Sequence, residues 1–226
     1  SEIEHADPFS REEIEQIAKA DSERMVDVRM VLFNCWAGLS LSEIVALAVE
    51  DVDLEAGVVN VRRALVVGEY KVPKERSRTR TVELIDPAIE LLRQILEDAK
   101  GAESIKIEVV QRDNVTRRKE TITPLFRNSA SGIVWNGKTV SKWFTAHLKK
   151  AGVRHRGANQ CRHTFASQAL SSYVPVEWVA RQLGHTDTTM VKKHYGRWIP
   201  TDTKSMAGIV SEMMGFRTAQ SGAERP

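Results

Sequence analysis

The chain reads as an α+β fold, a mostly helical domain with a small antiparallel β-sheet near its N-terminal third. Three observations carry that reading. Apolar residues recur at helical spacing through most segments. The period shortens to that of strands between Gly57 and Ile85. No repeat, low-complexity tract or clear linker divides the 226 residues, a length that buries a sizeable core.

Each element has a local reason. Ser10 followed by Glu13 is a capping box ahead of the helical run "REEIEQIAKA". "ERMVDVRMVLFNCWAG" is helical and stops at Gly38. Ser40 and Glu43 form a second capping box, so "SLSEIVALAVED" reads as a further helix burying Ile44, Val45, Leu47 and Ala48. "GVVNVRRALVV" and "RTRTVELI" are strands joined by the polar stretch "GEYKVPKERS". Asp86-Pro87 opens a helix, Pro suiting its first position. "SIKIEVVQRDNVTRRKETITPLF" is a hairpin turning near Asp113-Asn114. Helices are then expected over Thr139 to Ala151, Arg162 to Ser171, Pro175 to Leu183, Thr188 to Tyr195 and Thr203 to Met214, with a disordered tail over 216–226.

Composition narrows the function classes. With 42% hydrophobic and 28% charged residues the chain matches an ordinary globular protein. No apolar run is long enough to span a membrane, and the acidic start "SEIEHADPFSREEIEQ" is no signal or transit peptide. Two cysteines, Cys35 and Cys161, cannot build a disulfide framework or a common zinc site, so a cytoplasmic setting is expected. The net charge of +3 hides an asymmetry. Residues 1–60 carry 14 acidic and 4 basic side chains, a balance of −10, which leaves +13 for the rest. One basic face toward a polyanion fits this, as does a solvated surface of uneven charge.

No phosphate-binding loop, dinucleotide-type glycine pattern or HExxH is present, and no carboxylates cluster as metal ligands would. The expectation is therefore a site without cofactor or metal. What remains is cations, imidazoles and a phenol. "KVPKERSRTR" gathers Lys71, Lys74, Arg76, Arg78 and Arg80; "NQCRHTFAS" places Arg162 and His163 at a helix start; His185 and Tyr195 follow. Such a set suits a phosphodiester. Arginine grips two non-bridging oxygens in a planar fork, lysine or histidine protonates a leaving alkoxide, and a phenol can attack phosphorus. Each member also has a plain structural reading: a helix-start pair, a neighbour of a helix cap, a core tyrosine, a solvated turn. Trp143, Trp178 and Trp198 read as core or interface anchors.

The order and spacing of these residues resemble the catalytic domain of the tyrosine recombinases, the phage-integrase family. "AGLSLSEIVALAVEDVDL" is similar to that family's first catalytic box, "PKERSRTRTVEL" to its lysine-bearing β-hairpin, "NQCRHTFASQAL" to its second-arginine box and "RQLGHTDTTMVKKHYGRW" to its final segment. The resemblance covers about residues 8 to 200 and implies a mostly helical recombinase catalytic domain over 1–215. It implies that Tyr195 is the nucleophile, forming a 3′-phosphotyrosyl bond. Arg162 would clamp the scissile phosphate, Lys74 protonate the leaving 5′ oxygen and His185 hydrogen-bond the phosphate, with His163 in support. Lys71, Arg76 and Arg78 are expected DNA contacts. Two positions depart from the pattern. Ser40 stands where the first box has arginine, and Asn159 where the second has histidine. Serine cannot replace a bidentate cation, and losing such a donor costs roughly 3 kcal/mol of barrier. Arg76 or Arg78 is a candidate substitute.

The expected function is therefore a site-specific recombinase or integrase of mobile-element type, cutting and rejoining double-stranded DNA without cofactor. It would work as a tetramer on paired sites, monomeric when free, with "TKSMAGIVSEMMGF" docking through Met206, Ile209, Val210 and Met213 on a neighbour or on its own domain. The resemblance also implies that an N-terminal DNA-clamping domain is missing from this chain. The alternative is a recombinase-like DNA-binding protein whose cleavage is weak or absent because of Ser40.

Overall fold

A computed structural model describes residues 5–201 and 203–216; the positions assigned to a tail beyond Phe216 lie outside them. Helix α1 (Arg11–Lys19) starts on the expected capping box, with Glu13 N–H donating to Ser10 Oγ at 3.1 Å and Ser10 N–H to Glu13 Oε1 at 3.0 Å. Helix α2 (Met25–Ala37) is apolar around most of its circumference, and it is correspondingly the central helix, buried along Val28, Met30, Phe33 and Cys35. It ends on Gly38, whose φ of 73° is the left-handed conformation that glycine adopts without strain.

The next segment corrects the sequence reading. Helix α3 (Leu41–Ile44) is a single turn, not a helix running to Asp51. The chain leaves it because its backbone finds strand-like partners elsewhere: Val49 N–H donates to Thr123 O and Leu47 O accepts from Leu125 N–H. Ile44, Val45, Leu47 and Ala48 are nonetheless buried, as their pattern predicts.

The strands form two sheets rather than one. Strands β1 (Val52–Asp53), β2 (Val58–Val61) and β5 (Arg80–Glu83) make an antiparallel sheet of order β1-β2-β5, with Val59 opposite Val82 and Val61 opposite Arg80. Strands β3 (Ala64–Val66), β4 (Glu69–Lys71), β6 (Ile105–Val110) and β7 (Arg117–Ile122) make the second, in which β4 and β6 run parallel. The run "GVVNVRRALVV" is thus two strands, divided where Arg63 turns in to the buried Asp51 carboxylate at 3.1 Å. The sheets also reach residue 122, well past the N-terminal third.

Helix α4 (Asp86–Asp98) packs on α2. After the β6–β7 hairpin, which turns at Asp113-Asn114 as expected, come α5 (Gly137–Ala151), α6 (Gln160–Ser171), α7 (Val176–Leu183), α8 (Thr189–Tyr195) and α9 (Thr203–Met213). The main core joins α1, α2, α4 and α5 to the first sheet through Phe33, Val59, Leu92, Trp135 and Phe144. A second core, built on Phe165, Leu170, Val179, Leu183, Val191 and Tyr195, ties α6, α7 and α8 together. Helix α6 lies against α2 and so joins the two cores, and Arg162 emerges on it.

Candidate active site

Arg162 sits in the first turn of α6, 6% exposed. Two helix C-termini aim carbonyls at its guanidinium: Nη1 donates to Gly38 O at 2.8 Å, past the end of α2, and Nη2 to Leu183 O at 2.7 Å, at the end of α7. Terminal helix carbonyls lack intrahelical donors and carry the negative end of the dipole, which is why cations settle there. Burial and the nearby Arg78 hold the Arg162 pKa down at about 10, so it is charged at neutral pH.

Arg80, the first residue of β5, joins the same cluster. Its Nε donates to Gln182 O at 2.8 Å and its Nη1 to Glu43 Oε2 at 2.7 Å. Glu43 is 1% exposed and lies at the centre. Its Oε1 takes the Ser40 N–H at 2.9 Å, completing half of the expected capping box, and stands 3.5 Å from Arg78 Nη2 and 4.0 Å from Arg162 Nη1. The Ser40 hydroxyl instead faces Ser42 Oγ at 3.2 Å. Burial opposes ionisation of Glu43, but the hydrogen bonds and charges of Arg80, Arg78 and Arg162 outweigh it and hold the pKa at about 2. Three guanidinia around one carboxylate leave a formal excess of two positive charges in a largely buried place.

His185 borders this excess. It follows Gly184, whose φ of 77° ends α7, and its N–H donates to Ala180 O at 2.9 Å. Burial first, then Arg162 and Arg78, lower its pKa to about 4, so the imidazole is neutral at pH 7. Its Nδ1 is buried without a hydrogen-bond partner among the described residues. Next to Arg162 on α6, His163 places Nδ1 2.5 Å from the Tyr195 hydroxyl. Tyr195 closes α8, is 2% exposed and packs in the second core.

The structure therefore gathers Arg162, His163, His185, Tyr195 and Arg78 around one centre. Lys74 is not gathered: it lies exposed in the connection between β4 and β5 and makes no hydrogen bond or ion pair among the described residues. Arg76 is likewise exposed, in a 3-10 turn, and Lys71 pairs with Glu69 at 3.1 Å. Asn159 immediately precedes α6 and its side chain makes no cap bond. The three tryptophans pack against the cores, as expected, and Trp178 donates to Glu83. Sequence reasoning counted Arg80 only as one cation of the "KVPKERSRTR" run, without a role of its own, and missed the central role of Glu43. The signal for Arg80 was available, since strand alternation puts it on the same face as the buried Val82. Among the described residues no group of three or more His, Cys, Asp or Glu is placed to hold a metal ion.

The arginine cluster and the tyrosine thus sit on helices packed around α2 and α6 beside two small sheets. Residues 8–198 match the phage integrase family, and the chain belongs to that family. It is 32% identical to the prophage integrase IntR of Escherichia coli (strain K12) over 198 residues, 85% of this chain and 48% of that protein. It is 26% identical to the tyrosine recombinase XerC-like protein of Caldanaerobacter subterraneus subsp. tengcongensis, over 91% of this chain and 54% of that one. The chain thus spans about half the length of these relatives. Its fold is that of the Tn1549 transposon integrase solved with transposon right-end DNA, at a TM-score of 0.69, 19% identity and coverage of 95% of this chain and 68% of that one. It is also that of a lambda integrase dimer bound to a core site, at a TM-score of 0.59 and 14% identity, covering 90% and 65%.

Proposed function

We propose that this chain is the catalytic part of a site-specific DNA recombinase that cuts and rejoins strands through a 3′-phosphotyrosine. The observation that carries the proposal is the charge excess of the Glu43 cluster beside a phenol hydrogen-bonded to His163. A buried surplus of cations is stabilised by an anion, and a backbone phosphate is the anion on which a tyrosine can act. The DNA-bound integrases of the same fold support double-stranded DNA as the partner.

In this reading the Tyr195 hydroxyl leaves its covered position, passes its proton to His163 Nδ1 and attacks phosphorus. The P–Oη bond forms and the P–O5′ bond breaks. Lys74 gives a proton to the departing 5′ oxygen once its loop closes on DNA. Arg162 holds a non-bridging oxygen, and the neutral His185 donates a hydrogen bond to the same phosphate. Attack by a 5′-hydroxyl of another strand reverses these steps, so the bond energy is conserved and no nucleotide is consumed. Lys71 and Arg76 hold flanking phosphates. Work on two strands in turn implies paired sites and a tetramer built on them.

The second reading, a recombinase-like DNA binder with little cleavage, draws on Ser40 and on the 2% exposure of Tyr195. Nicked suicide DNA substrates separate the two. A covalent adduct that survives detergent, and is lost in Tyr195→Phe, is the expected result. DNA retention with no adduct under any condition would favour the binder.

A further inference from the structure

We infer that Arg78 is the second guanidinium on the reacting phosphate, in the role that Ser40 cannot fill. This rests on the phosphodiester reading of the site.

Arg80 is nearly spent: four of its five N–H groups are taken by Gln182, Glu43 and the Arg78 carbonyl, and its side chain is 7% exposed. Arg162 uses both terminal nitrogens on carbonyls, which fixes its position while leaving an N–H on each. Arg78 is different. Its two polar contacts, to Leu183 O and to Glu43 Oε1, are both long at 3.5 Å, and its side chain is 27% exposed. It is therefore aimed but not saturated.

What aims it is specific to this site. Arg78 and Arg162 lie beside the same two oxygens, the Leu183 carbonyl and Glu43 Oε1, so their guanidinia converge on one place. Glu43 belongs to the same turn as Ser40 and takes the Ser40 N–H, which ties Arg78 to the position where the cation is missing. The Arg78 side chain also lies across Gly184, next to His185: a Cβ there would stand 3.1 Å from Arg78 Cδ. Arg76, the other candidate, is exposed and touches none of these groups among the described residues.

Two guanidinia on one phosphodiester divide its two non-bridging oxygens, which share one negative charge, between them. A methylphosphonate is neutral and keeps only one non-bridging oxygen, so it needs one of them less. The test measures adduct formation and DNA binding in parallel, on phosphate and methylphosphonate substrates. Arg78→Ala should slow adduct formation on phosphate by on the order of 100-fold, a loss well beyond any accompanying drop in binding. The defect should shrink to under about tenfold on the methylphosphonate, and Ser40→Arg should restore adduct formation in the Arg78→Ala background. Arg78→Lys keeps the charge but not the fork, and should remain slow even though it folds. A wild-type adduct that Arg78→Ala forms equally fast, or an unchanged defect on methylphosphonate, would overturn the assignment alone. A wild type that forms no Tyr195-dependent adduct would overturn the reading of the site beneath it.

Discussion

The Tyr195 hydroxyl lies 2.5 Å from His163 Nδ1, joining the last residue of α8 to the residue after Arg162 on α6. The imidazole gives the buried phenol a hydrogen-bond partner and, in the proposed mechanism, accepts its proton. His163→Ala should lower adduct formation by roughly 10²- to 10⁴-fold, the usual worth of a positioned base. DNA affinity should be unchanged, because the imidazole is buried on the phenol side. Single-turnover cleavage set beside a binding isotherm checks this; a parallel loss of binding would mean that the site had collapsed.

Glu43 holds the cluster together, and removing its charge leaves Arg78, Arg80 and Arg162 facing one another. Breaking a buried pair on one side costs about 3–5 kcal/mol. Glu43→Gln should therefore shift the urea midpoint markedly, whereas Glu75→Gln, exposed and nearby, should not. Equal midpoints would show that the guanidinia are balanced by other groups.

Acid should unfold the protein in two stages. His185 has a folded pKa of about 4 against an ordinary 6.5, so as pH falls through that window the unfolded chain takes a proton that the folded one refuses, and stability drops. Glu43, at about 2 against 4.5, loses its contribution between those lower values. Both effects have the same sign, since the unfolded state binds more protons in each window. His185→Gln, uncharged throughout, should flatten the upper stage and leave the lower one. Denaturant midpoints taken from about pH 7.5 down to about pH 3 would test it.

Much of this was legible in the chain. Ser10, Glu13, Gly38 and Asp86-Pro87 set helix boundaries through local hydrogen bonding and φ preferences, which neighbours in sequence decide. The site residues from Arg162 to Tyr195 were legible because their order matches a family pattern. What escaped depends on distant partners. Nothing near Leu47 and Val49 announces that Leu125 and Thr123 will take their backbone groups and cut α3 to one turn. The parallel pairing of Tyr70 with Val109 is equally non-local. Glu43 looked like a cap because its capping bond is local, while its arginines arrive from β5, the loop before it and α6.

Binding of duplex DNA should weaken steeply with salt if, as proposed, Lys71, Arg76 and the arginine cluster contact phosphates. Each phosphate neutralised contributes about −0.9 to the slope of log K against log salt. Arg76→Ala should reduce that slope by roughly one and weaken binding evenly across sequences. A slope near zero would count against a DNA function of either kind.

Gly184 offers a test of the architecture that does not depend on DNA. Its φ of 77° disfavours any side chain, and an added Cβ would stand 2.8 Å from Arg80 Nη1 and 3.1 Å from Arg78 Cδ. Gly152 is the natural control, at φ 68° and also at a helix C-cap, but with nothing within 4 Å of its would-be Cβ. The conformational penalty is common to both, about 1–2 kcal/mol. Only Gly184→Ala must also push the two arginines off the end of α7, loosening their bonds to Gln182 and Leu183. Gly184→Ala should thus cost more stability than Gly152→Ala and abolish adduct formation, whereas Gly152→Ala should leave the adduct intact after its milder loss. Matching losses in both variants would mean that the arginines ride over Gly184 without being seated by it.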